Sequence, residues 1–180
     1  MTETELVTLA EAAGFSAAVI PASQVPVDKK FRPYCEENLC GQYNANYSCP
    51  PMCGTVEQLH REILRGEIAV VLKSEWPIES YQDSRAIRRG KQSHNRAMLR
   101  LKETFRMAGY DGLCVGGSCC DLCDPCNMSF GRPCAFPDQR FSCMSAYCVD
   151  VAKLTAQCGL DFAWDTKKLH LCGMIVLRKP

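Results

Sequence analysis

Apolar positions along the chain recur with helical period in some stretches and run together as strands in others. Leu6, Leu9 and Ala13 fall at helical spacing over residues 4–13 and Gly14 stops them, which predicts a short amphipathic helix. Phe15 to Ile20, closed by Pro21, predicts a strand, and a second extended piece is expected near Val25 to Val27. Thr55 with Gln58 three residues on has the capping-box pattern, so a helix to about Arg65 is expected with Val56, Leu59 and Ile63 inward. Glu67 to Lys73 (EIAVVLK) reads as a buried strand, and Trp76–Pro77 as the start of a loop. The longest pattern covers residues 83–108, where Ile87, His94, Met98, Leu101 and Phe105 repeat on one face and Gly109 marks the stop. Gly112 to Val115 predicts a strand. Ser142 is read as the cap of a fourth helix on which Met144, Tyr147, Val151, Leu154 and Cys158 share a face, ended by Gly159. Leu171 to Leu177 predicts a last strand.

This order predicts an α+β fold in a single domain, residues 1–180. A small mixed sheet, partly antiparallel, is expected under a cover of helices, with two cysteine-rich metal-binding loops at one end. The pattern does not set the strand order. Residues 32–54, the first cysteine-rich segment, have little periodicity apart from Gly41 and Pro50–Pro51 and read as an ordered loop; the second cysteine segment is residues 114–148.

Composition changes the picture at one residue type. The chain has 14 Cys in 180 residues, more than an intracellular protein carries unless the thiols act. Formal net charge is +1, so no global field points to nucleic acid or a membrane. No apolar run approaches the roughly 18 residues that span a bilayer. The opening MTETELVTLAEAAGF is acidic and amphipathic and lacks the regions of a signal peptide, so a cytoplasmic location is expected, where thiols stay free for metal. A disulfide framework is the alternative reading of an even cysteine count, and the missing export signal argues against it.

The second segment carries Cys114, Cys119, Cys120, Cys123, Cys126, Cys134, Cys143 and Cys148. Within it, Cys120, Cys123, Cys126 and Cys134 form C-x2-C-x2-C-x7-C, with Pro125 and Pro133 each just before a ligand candidate. Three thiols at this spacing surround one point when the backbone curls, the arrangement that holds a cubane iron–sulfur cluster. Structural zinc more often uses two separated C-x2-C pairs, so zinc is the alternative. The run departs from the bacterial ferredoxin pattern, which ends x3-C-P. The first segment is C-x4-C-x8-C-P-P-x-C, from Cys35, Cys40, Cys49 and Cys53, with Tyr34, Tyr43 and Tyr47 interleaved as candidate walls.

These residues carry a resemblance. Cys35, Cys40, Tyr43, Cys49–Pro50–Pro51 and Gly54, followed by Cys120, Cys123, Cys126 and Pro133–Cys134 with Pro137, resemble an uncharacterised family of predicted metal-binding proteins, domain of unknown function 2284. The likeness runs over about residues 27–155, including Gly109–Tyr110 and the stretch from Met144 to Asp150–Val151. It implies a redox-metal protein and no named substrate. It singles out Cys35, Cys40 and Cys49 in the first group, and Cys120, Cys123, Cys126 and Cys134 in the second. Four thiolates fill one cubane, whereas three leave one iron of a second cubane open. Cys53 is nearest in sequence to supply the missing thiolate, and Cys119 or Cys143 are the other candidates.

The remaining features are less specific. Cys114 and Cys172 in strands, and Cys148 and Cys158 on the apolar side of the fourth helix, read as small buried hydrophobes. The long helix carries Arg85, Arg88, Arg89, Lys91, Arg96, Arg100, Lys102 and Arg106 against Asp83 and Glu103. That is a solvated face or, read more sharply, a dock for an anionic partner across Arg85–Arg106. His94 continues the apolar stripe and reads as a core histidine, while His60 and His170 carry no motif. No phosphate loop, dinucleotide fingerprint or G-x-S-x-G is present.

Three functions follow as expectations. The first is a protein carrying two 4Fe-4S clusters, held by Cys35, Cys40, Cys49 and Cys53 and by Cys120, Cys123, Cys126 and Cys134, that transfers electrons to a redox partner protein. The second is a redox enzyme with a three-cysteine open cluster that binds a small-molecule substrate, for sulfur removal or reduction. The third is a zinc-binding scaffold.

Overall fold

The computed structural model describes residues 1–178. The elements in chain order are helix α1 (Glu3–Ala12), strand β1 (Ser16–Pro21), short helix α2 (Arg32–Glu36), α3 (Val56–Leu64), β2 (Ile68–Pro77), α4 (Ser84–Met107), β3 (Asp111–Gly116), β4 (Ser142–Cys143), α5 (Val151–Gln157) and β5 (Lys168–Arg178). The five strands form one mixed sheet in the order β1-β2-β5-β3-β4. β1–β2, β2–β5 and β5–β3 pair antiparallel, and β4 runs parallel to β3. The fold is α+β.

Helices cover both faces of the sheet. Val70, Leu72, Ile175 and Leu177 face Leu6 and Ala10 of α1 and Met98, Leu101 and Phe105 of α4. The alternate residues Ala69, Val71, Met174 and Val176 face Leu59 and Ile63 of α3, Leu154 of α5, and Met144 and Tyr147. Burial on both sides explains why β2 reads as an unbroken apolar run rather than an alternation. Each large side chain taken from water here, such as Phe105 or Leu72, contributes about 1.5–3 kcal/mol. α4 lies close on the sheet because residue 173 is glycine: a Cβ there would stand 2.5 Å from Met98 Sδ.

Local sequence accounts for the ends of most elements. Thr55 and Gln58 form the reciprocal capping box of α3, and Thr2 with Glu5 does the same for α1. The expected long helix spans Ser84–Met107, capped by the Asp83 side chain. Three boundaries differ from the sequence reading. β2 runs on through Trp76 and Pro77 because β5 starts at Lys168 and pairs with them. The piece near Val25 to Val27 is a single bridge, Val27 to Val149. The fourth helix starts at Val151, not Ser142. Cys148 has φ 56, a left-handed backbone that no helix continues through, and Asp150 caps the helix instead by accepting from Lys153 N–H. Met144 and Tyr147 still reach the core, but from turns. Ser142 belongs to β4.

Candidate metal centre

β3 ends at Gly116 and delivers the second cysteine segment beside the first. Two polar side chains that the sequence reading passed over tie them together. Asn46 is 4% exposed and Ser48 is 0% exposed. Asn46 Oδ1 accepts from both Ser48 N–H and Ser48 Oγ–H, each at 2.9 Å. Ser48 Oγ in turn accepts from Cys120 N–H at 3.0 Å, and Asn46 Nδ2 donates to the Cys120 carbonyl at 3.0 Å. Both backbone groups of Cys120 are thus held by side chains of the other segment. Tyr47 adds a tie by donating its hydroxyl to the Arg132 carbonyl at 2.9 Å.

The thiols gather around two cavities. Cys35, Cys40, Cys49, Cys119 and Cys143 line a cavity of about 290 Å³, walled also by Tyr34, Leu39, Tyr43 and Lys91. Cys120, Cys123, Cys126 and Cys134 line a separate cleft with Tyr47, Phe136 and Arg140. The free volume of that cleft is about 10 Å³, room for roughly one water. A third cavity of about 380 Å³ lies between the two sets, with Cys40 and Cys119 on one side, Cys120, Cys123 and Cys126 on the other, and Arg88 and Lys91 from α4. Cys53 is not among the lining residues of any of these. It packs against the apolar core on the α3 side of the sheet, and the nearby Arg32 guanidinium partly offsets the burial that raises its thiol pKa and that of Cys148. Every cysteine is a free thiol.

Electrostatics separate the five thiols of the larger cavity. Cys49 and Cys119 lie close enough for their thiols to influence each other. That interaction favours the Cys119 thiolate, with Lys91 also lowering its pKa, and together with burial it pushes Cys49 up. Burial pushes Cys143 up to about 12. Burial also raises Cys35, partly offset by Arg32, and raises Cys120. Cys114 and Cys172, in the core strands, are raised to about 12 by burial. Cys158 is the C-cap of α5.

Soft thiol donors around one space suit a metal or metal–sulfur group. The larger cavity has room for one. The smaller cleft has the donor set but little free space, so a group could enter only if its loop opened. Among the described residues, no three His, Cys, Asp or Glu side chains meet closely enough to hold a single ion. His94 is no ligand here. It is fully buried, shares a 2.6 Å hydrogen bond with Ser74 Oγ, and burial lowers its pKa to about 4. It sits directly behind Gly117 of the cavity wall, where a Cβ would come within 2.9 Å of its ring. No helix among the described residues is long and apolar enough to cross a membrane.

The chain belongs to the family described as predicted metal-binding protein (DUF2284), whose profile matches residues 18–177. No curated protein and no solved structure matches it.

Proposed function

We propose that this cysteine-rich protein is an iron–sulfur electron carrier of a reducing cytoplasm with two cluster sites. Cys120, Cys123, Cys126 and Cys134 would hold one 4Fe-4S cluster. Cys35, Cys40 and Cys49 would hold the other, with Cys119 as fourth ligand in place of Cys53. The observation that carries this reading is the division of the thiols into two sets, each drawn around its own cavity. Cys119 is preferred to Cys143 because it lines both cavities on its side, and Lys91 favours its thiolate whereas burial disfavours that of Cys143. When bound, such clusters take up and release single electrons.

The chain's own residues would shape that chemistry. Tyr34 and Tyr43 keep water from part of the larger cavity, and Tyr47 and Phe136 do so for the smaller cleft. Partial exclusion of water is one lever on a cluster's potential. Lys91 at one site and Arg140 at the other each bring positive charge to a set of thiolates. The Asn46–Ser48 clamp fixes the start of the second cysteine run relative to the first.

Anaerobic iron and sulfide counting with a visible spectrum tests the reading. Two cubanes give about eight irons and eight sulfides per chain and a brown protein. A colourless protein that holds zinc and no iron would overturn it in favour of a zinc scaffold.

A further inference from the structure

Arg32 carries a charge that nothing described so far answers. Its Nη2 donates to the Ala146 carbonyl at 3.1 Å. Its Nη1 is buried and has no hydrogen-bond partner. Of the buried side-chain atoms left without a partner among the described residues, Nη1 is the only one on a permanent cation. Cys35 lies one turn further along α2, and Cys35 and Ala146 both line the larger cavity. The guanidinium therefore stands against the wall of that cavity. The acidic residues near it in sequence are engaged or turned outward. Asp28 pairs with Lys30 at 2.9 Å, Glu57 pairs with Lys29, and Glu36 and Glu37 are exposed. Among the described residues Arg32 enters no ion pair. The neighbouring thiols of Cys53 and Cys148 do not supply the missing charge, because burial raises both pKa values and keeps them neutral. A desolvated cation with an unfilled N–H destabilises a fold unless something negative meets it. Metal binding brings that negative charge, because ligand thiols lose their protons when they coordinate.

We propose that Arg32 is the built-in counter-ion of the metal group at Cys35, Cys40 and Cys49, supplying the positive charge and the free N–H that its sulfur atoms take up. The inference rests on the iron–sulfur reading above and deepens it by naming the residue that sets the potential of one cluster. Nearby positive charge and a hydrogen bond to sulfur both favour the reduced, more negative state, so Arg32 raises the reduction potential of this site. The second thiol set has Arg140 in its cleft and not Arg32, so the effect belongs to one site.

Arg32→Met removes the charge and the N–H and keeps an apolar stem, whereas Arg32→Lys keeps the charge. Both variants and the wild type are loaded anaerobically, and the potential of each cluster is read by redox titration followed in visible and EPR spectra. The metal-free chains are compared by chemical denaturation. In Arg32→Met the reduction equilibrium of one cluster is expected to shift about tenfold or more toward the oxidised form, about 59 mV for one electron, and the other cluster keeps its potential. Arg32→Lys is expected to recover most of that shift. Metal-free Arg32→Met is expected to be at least as stable as wild type, because removing an unanswered charge offsets the lost bond to Ala146. A purely structural arginine predicts the reverse, a less stable metal-free chain with unmoved potentials. Unmoved potentials in loaded Arg32→Met, or an equal shift in Arg32→Lys, would overturn the inference and leave the iron–sulfur reading standing. If Arg32→Met loses one cluster, its retention in Arg32→Lys would uphold the inference, and its loss there as well would overturn it. A colourless protein that takes zinc rejects the iron–sulfur reading alone. The counter-ion then shows as a tenfold or greater loss of zinc affinity in Arg32→Met but not in Arg32→Lys, and equal affinities would overturn it. A chain that takes up neither metal would overturn both.

Discussion

Ser48→Ala removes one hydroxyl from the middle of the polar clamp that joins the two cysteine segments. In the native protein that oxygen accepts from Cys120 N–H at 3.0 Å and donates to Asn46 Oδ1 at 2.9 Å. Asn46 Oδ1 keeps Ser48 N–H after the change, so it remains satisfied. Cys120 N–H does not. A part-buried amide left without an acceptor costs about 1–3 kcal/mol, and the small space vacated by Oγ adds little. The effect is local, so amide hydrogen exchange is the suitable assay. Protection of the Cys120 amide should fall by roughly 5- to 150-fold, the same free energy expressed as a population. Thr8→Ala, at an exposed hydroxyl that donates to the carbonyl of Thr4, serves as the control and should lie within about 0.5 kcal/mol of wild type. The metal content at the second thiol set should fall with Ser48→Ala, because the backbone that aims Cys120 is loosened. Unchanged protection at Cys120 together with full metal content would refute the argument that this clamp organises the centre.

Two other outcomes are expected. Cys119→Ser should remove the cluster of the larger cavity and leave about half the iron, whereas Cys53→Ser should keep the full iron count. The reverse pattern would return Cys53 to the ligand set, and an unchanged count for both would leave a three-thiolate site with an open iron. His94 should make stability depend on pH. Burial lowers its folded pKa from 6.5 to about 4, so between those values the unfolded chain binds a proton that the folded one does not. Stability is then full above about pH 6.5 and declines towards pH 4 by roughly 3 kcal/mol in total. Chemical denaturation of His94→Gln across that range should show a shallower decline, and parallel curves for the two proteins would exclude His94 as the cause.

Much of the scaffold was legible because its signals are local. The capping box at Thr55 and Gln58, the stripe from Ile87 to Phe105 and the run EIAVVLK each state an element within a short window. The fourth helix was misread for an equally local reason. Met144, Tyr147, Val151 and Leu154 have helical spacing, and a left-handed residue such as Cys148 leaves no mark when it is not glycine. The clamp at Asn46 and Ser48 was invisible because its partner lies far along the chain, and short polar residues in a loop read as solvated. Cys53 drew attention by nearness to Cys49. Which thiols face a common space is set by side-chain direction, and Cys53 turns toward Arg32 and the apolar core.

β5 lies between β2 and β3 yet follows both in the sequence. During synthesis neither earlier strand has its main neighbour until Lys168–Arg178 has been made. The two thiol-bearing loops, one before α3 and one after β3, are therefore translated before the framework that will aim them exists. Assembly of the centre is in this sense a late event in the life of each new chain. Until then the fold does nothing to shield more than a dozen sulfurs from oxidation.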